Sequence, residues 1–211
     1  MQKFALMLAS CLVCSSLVAA ESPAAKARGT ALEAQYEALT AVSGDAQKEL
    51  YRTLSIEDRQ AVWSLHLERF LAERKELSAE ARSVIFEGLG LLSGGLFDRL
   101  RSTDAAVVEQ AKADLEQLKI RGRAAMSLEL AIAAFGRLDG NHMQQHNGDV
   151  DAPDHDASRL RVRANIIPYC SCNVGSDFCS YGYCIYTPRS CIFTPDGCGW
   201  MWIEGCNGQC S

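Results

Sequence analysis

The sequence predicts a mainly α-helical protein, a bundle of five or six helices followed by a small, disulfide-rich module of loops and short β-strands. Three observations carry this prediction. Apolar residues recur at helical spacing from residue 30 to residue 138, with no proline in that run. Eight of the ten cysteines crowd into residues 169–211. Between these parts lies a polar, aperiodic stretch that marks a boundary.

Residues 1–20 read as a secretory signal: Lys3, the apolar run Phe4-Ala5-Leu6-Met7-Leu8, and Val18-Ala19-Ala20 before Glu21. Signal peptidase is expected to cut after Ala20. That cut removes Cys11 and Cys14 and leaves an even eight cysteines. Leu8-Ala9-Ser10-Cys11 also looks like a lipobox, but cleavage there would leave an apolar tail on the anchor and Cys14 as an odd thiol. Ordinary secretion to an extracellular or periplasmic compartment is therefore expected.

The helical region spans 21–138. Leu32, Tyr36 and Leu39 repeat at helical spacing over 31–42, as do Ala46, Leu50, Tyr51 and Leu54 over 44–54. Ser55-Ile56-Glu57-Asp58 is an N-cap with an acidic residue three positions on. The helix it opens carries Ile56, Trp63, Leu67, Phe70 and Leu71 on one stripe. A helix from Ser78 turns Ala81, Val84, Ile85, Leu89 and Leu92 inward and is broken at Ser93-Gly94-Gly95. Leu96, Phe97 and Leu100 make a short turn; helices over 104–121 and 126–138 follow. Short loops between amphipathic helices make an antiparallel bundle, and the region is expected to fold without the module. His66, near Trp63 and Phe70, reads as a packing histidine, since no nucleophile or carboxylate partner accompanies it. Glu57, Asp58, Glu68 and Glu73 fit solvated faces beside basic neighbours.

Residues 139–168 form a flexible linker with a basic junction. Asp-Gly and Asn-Gly pairs, Pro153 and several aspartates predict no packed structure. His142 and His146 stand one helical turn apart but lack the glutamate of a zinc protease motif, so no metal is assigned. Arg159, Arg161 and Arg163 offer a processing protease its residues where the helical part ends.

The module, 169–211, contains Cys170, Cys172, Cys179, Cys184, Cys191, Cys198, Cys206 and Cys210, half of all the aromatics, and no Leu, Ala, Lys or His. So short a segment buries too little apolar surface to offset the entropy of ordering it and requires staples. The gaps between cysteines run one, six, four, six, six, seven and three residues, with no histidine among them. Only Cys179 and Cys184 have a zinc-like gap, so four disulfides are expected, their pairing left open. Cys184-Ile-Tyr-Thr-Pro-Arg-Ser is echoed by Cys191-Ile-Phe-Thr-Pro-Asp-Gly; Thr194-Pro195-Asp196-Gly197 suits a type I turn and Cys206-Asn207-Gly208 a tight one. With few aliphatics, the interior fills with sulfur, which turns some of Tyr181, Tyr183, Tyr186, Trp200 and Trp202 to water as a target-binding surface.

Cys170-Ser171-Cys172, Ser176-Asp177-Phe178-Cys179, Phe193-Thr194-Pro195-Asp196-Gly197-Cys198-Gly199, the following Trp200 and Cys206-Asn207-Gly208 resemble fulvocin C, a small cysteine-rich bacteriocin, and the longer proteins related to it. The helical stretch from Leu54-Ser55-Ile56-Glu57 through Trp63 and His66-Leu67 to Leu77-Ser78-Ala79-Glu80 resembles those longer proteins more distantly. The resemblance implies a precursor whose C-terminal module is an antibacterial peptide acting on a bacterial cell-surface protein or lipid headgroup.

Charge and motifs narrow the alternatives. The net charge is −5, and the module carries −2, Asp177, Asp196 and Glu204 against Arg189. This is no nucleic-acid footprint and no cationic membrane peptide. Phosphate loops and nucleophile elbows are absent from the sequence, and its C-x-x-C pair, Cys11 and Cys14, falls in the segment expected to be removed as a signal, so neither an enzyme nor a cofactor is expected. The alternative is an exported binding or protease-inhibitor protein that stays intact and grips its partner through the module.

Overall fold

The structure, a computed structural model, describes residues 23–42, 44–138, 169–176, 178–179, 183–186 and 190–210. Ala20, Arg159, Arg161, Arg163, Tyr181, His142 and His146 lie outside them. Among the described residues there are seven α-helices: α1 (Pro23–Thr40), α2 (Gly44–Arg52), α3 (Ile56–Glu73), α4 (Ala79–Ser93), α5 (Leu96–Arg99), α6 (Ala105–Ala125) and α7 (Leu128–Ala131). A π-helical turn, Ile132–Gly136, continues α7. The count exceeds the expected five or six because the short turn expected at Leu96, Phe97 and Leu100 is itself helical, as α5, and the helix expected over 126–138 is one α-turn continued by the π-helical turn. No helix among these residues is long and apolar enough to cross a membrane.

Side-chain caps set the helix starts. Ser55 Oγ accepts from the Asp58 amide, Ser78 Oγ from Ala81, Asp104 from Ala106, and Ser127 Oγ from Leu130. Each cap satisfies a donor the helix itself leaves open, contributing roughly 1 kcal/mol. Trp63, Leu67 and Phe70 of the stripe predicted on α3 are buried at the bundle's centre with Val62, in one core with Val84, Ile85 and Leu92 of α4 and Leu115 and Leu118 of α6, while Ile56 and Leu71 of that stripe are only partly buried.

The module adds four short strands, β1 (Cys184–Tyr186), β2 (Thr194–Cys198), β3 (Glu204–Cys206) and β4 (Gly208–Cys210). They pair as two antiparallel ribbons, β1 with β4 and β2 with β3. The expected turn at Thr194-Pro195-Asp196-Gly197 is instead part of β2, whose register against β3 shifts between Thr194 and Cys198. Proline and glycine mark an irregular strand here, where the ladder can spare an amide. Asn207 separates β3 from β4, so the chain changes ribbon at the predicted tight turn.

The two parts do not have separate cores. Trp200, Met201, Trp202 and Ile203, between β2 and β3, belong to the same buried cluster as Trp63, Leu118 and Phe135. The expectation that the helical region folds alone meets this shared core: part of the helical interior is supplied by the module.

Candidate functional site

All eight module cysteines pair, Cys170 with Cys191, Cys172 with Cys184, Cys179 with Cys210 and Cys198 with Cys206, at Cα separations of 4.9, 5.9, 5.6 and 5.2 Å. Every bridge stays inside the module. Chain entropy makes each worth on the order of 2–4 kcal/mol, less where loops overlap. The sulfurs of Cys172, Cys179 and Cys210 lie within 4.8 Å of one another, a spacing a metal could use. In this oxidised form those sulfurs are bonded in disulfides and present no thiolate to a cation.

The Cys198–Cys206 bridge closes a loop whose apex is Trp200-Met201-Trp202. Its backbone is unusual. Met201 (φ 53°) and Trp202 (φ 50°) both adopt the left-handed region, which costs a residue with a Cβ roughly 1–3 kcal/mol. Gly199 (φ 69°) precedes them, and a Cβ there would fall 1.9 Å from Glu204 Oε2. Only glycine lets the carboxylate fold under the tip. Glu204 uses both oxygens: Oε2 accepts from Ser176 Oγ and from the Trp200 amide (3.2 Å), and Oε1 from Lys119 Nζ (2.5 Å).

The helices supply a matching notch. A Cβ on Gly122 of α6 would meet the Trp200 ring at 2.2 Å, so this glycine is the floor on which the indole rests. Phe135 stacks on that indole at 4.5 Å, with Phe178 of the module at 5.6 Å. Trp202 stands edge-on to Tyr51 (5.1 Å) and Trp63 (5.8 Å), and its Nε1–H donates to Gly136 O at 2.9 Å. The Tyr51 hydroxyl donates to Met201 O at 3.5 Å, and complete burial raises its pKa. Basic side chains rim the notch. Asp196 accepts from Arg59 (2.7 Å) and Arg101 (3.0 Å); Lys119, itself buried, pairs with Glu204 and Glu116. Arg59 also donates to the carbonyls of Arg52 and Leu54, tying the α2–α3 turn to the module.

The expected aromatic surface therefore divides. Tyr183 and Tyr186 are exposed (63 % and 61 %), alongside Tyr169 and Phe193. Trp200 and Trp202 are not: they are 0 % and 4 % exposed, because the interior that receives them belongs to the helices. The notch residues Gly122, Phe135, Lys119, Arg59 and Arg101 carry no motif. The four-residue run Trp200-Met201-Trp202-Ile203 is the signal that marks the plug, being too apolar for a solvated loop.

His66 is buried, as a packing histidine should be. Its Nδ1 accepts from the Tyr36 hydroxyl (2.9 Å) and its Nε2–H donates to Ala133 O (3.1 Å), which fixes the neutral tautomer. Desolvation lowers its pKa to about 4. Above pH 6.5 folded and unfolded imidazoles are both neutral, and the group's contribution is fully present. As the pH falls towards 4 only the unfolded state takes up the proton, so stability is lost. Urea unfolding at pH 7.5 and 4.5 should show the native chain losing about 3 kcal/mol more than His66→Gln does. Equal losses would mean that His66 is protonated in the fold.

Fold and site together define a class: a helical body carrying a disulfide-stapled module, with an aromatic plug between them. No known family model matches the sequence, and comparison with characterised proteins and with solved structures finds no significant match.

Proposed function

We propose that this chain is an exported, bacteriocin-like precursor whose stapled C-terminal module is the antibacterial part and whose helical region is its carrier. The observation that carries this reading is that all four disulfides close within the module, crossing neither the linker nor the helices. A module cut free at the linker keeps its whole covalent framework. The motif resemblance to fulvocin C supports the antibacterial role, and four disulfides fit an oxidising compartment outside the cytoplasm. Signal peptidase acting after Ala20 and a basic-specific protease acting at Arg159, Arg161 or Arg163 complete the maturation. The acidic module favours a bacterial surface protein or lipid headgroup over bulk anionic lipid.

A second reading has its own observation. Tyr183, Ile185 and Tyr186 are exposed on and beside β1, a recognition surface available in the uncut chain. An intact binding or inhibitor protein would use that face.

One experiment separates the two. Limited trypsin on the oxidised chain should cut at the junction arginines well before Arg189. The module, purified from the helical fragment in denaturant without reductant and refolded, should inhibit bacterial growth, and its reduced, alkylated form should not. A separated module inert against a broad panel, beside an active intact chain, would establish the binding-protein reading instead.

A further inference from the structure

We infer that the helical notch is an inhibitory binding site for the module, one that keeps its grip after the linker is cut. The inference rests on the precursor reading, in which the module is the active part; it adds that cleavage alone releases nothing. The contacts described between plug and notch are non-covalent and lie outside 139–168, so a cut in the linker removes none of them.

Three features give the notch the character of a specific site. Its shape fits one side chain: Gly122 leaves the space that the Trp200 ring fills, and Phe135 closes over it. Two of its polar groups are matched across the contact, the Trp202 indole N–H on Gly136 O and the Tyr51 hydroxyl on Met201 O, while the buried Trp200 indole N–H makes no hydrogen bond and that ring is held by shape alone. Its charge is complementary: Arg59 and Arg101 converge on Asp196, while Lys119 meets Glu204. Aromatic anchors in a fitted pocket flanked by desolvated charge pairs are what hot spots consist of.

The module side is built for presentation. Two successive left-handed residues in a loop closed by Cys198–Cys206 turn both indoles outward from the sulfur-filled interior. That loop is pre-organised within the module, and pre-organisation lowers the cost of binding. The bundle thus covers the surface of the module best shaped for contact, including both acidic groups beside it. Activation then needs cleavage and a second event that separates the halves.

The test uses the full oxidised chain, nicked at the junction arginines and never denatured. At micromolar concentration both fragments should leave a size-exclusion column in one peak, and the nicked protein should inhibit growth no more than the intact chain. Asp196→Arg places a third cation beside Arg59 and Arg101 and should raise the dissociation constant by about 100-fold, parting the fragments. Asp196→Asn, nearly isosteric, should raise it by about 10-fold. Adding Arg59→Asp to Asp196→Arg should restore much of the binding. Native fragments that part on nicking, or a nicked complex as inhibitory as the separated module, overturn the inference. Co-elution is read without a growth assay, so an inert separated module removes the precursor reading and leaves the binding result to stand by itself.

Discussion

Trp200→Ala and Trp202→Ala are each expected to destabilise the entire chain, helices included, by about 3–5 kcal/mol. Both indoles sit in a core whose walls are held by other contacts. Phe135 and Phe178 flank Trp200, and Tyr51 and Trp63 flank Trp202. Removing either ring leaves a cavity that two long helices, α3 and α6, can only partly collapse. Trp202→Ala also strips the donor from Gly136 O, leaving that carbonyl short of a partner. Guanidinium unfolding followed by far-ultraviolet circular dichroism reads the helices directly, so a loss seen there is a loss transmitted from the module. Tyr183→Ala and Tyr186→Ala, on exposed positions, should stay within about 0.5 kcal/mol of the native chain. Tryptophan variants costing under about 1 kcal/mol would mean that the plug is not part of the helical core.

The helices were legible in the sequence because capping and periodicity are local. Ser55 and Ser78 cap where their spacing to the first apolar turn says they should, and the α3 stripe points inward as its period requires. The disulfides were legible as a set, since eight cysteines in so short a module admit little else. Their pairing was not, because Cys198–Cys206 follows the irregular register of β2 against β3 and Cys179–Cys210 joins a loop to β4, neither of which spacing reveals. The plug was misread for a physical reason. Trp200 and Trp202 look like surface aromatics when the module's own interior is counted, since disulfides fill it. The space that receives them is made by Gly122, which in sequence is an unremarked glycine near the end of a long helix. Two glycines with opposite roles, Gly122 for room and Gly199 for backbone, show how little of a long-range contact is written in either partner alone.

Residues 21–138 without the module are expected to lose most of the chain's cooperative stability. Taking the plug away uncovers Tyr51, Trp63 and Phe135, together with the face of α6 around Gly122 and Leu118. At about 1.5–3 kcal/mol for each large side chain returned to water, the loss exceeds about 5 kcal/mol. That is comparable with the whole stability of an ordinary domain. Lys119 would lose Glu204, and Arg59 and Arg101 would lose Asp196, with only Glu116 of those partners remaining. The helices should survive as fluctuating segments because their caps are local. The most direct test of a shared core is therefore guanidinium unfolding of residues 21–138 beside the full oxidised chain, followed by circular dichroism. A shallow, early transition for the fragment and a single steep one for the full chain is the result expected from the plug. Coincident midpoints with equal slopes would show that the helical region is complete without the module and would contradict the account.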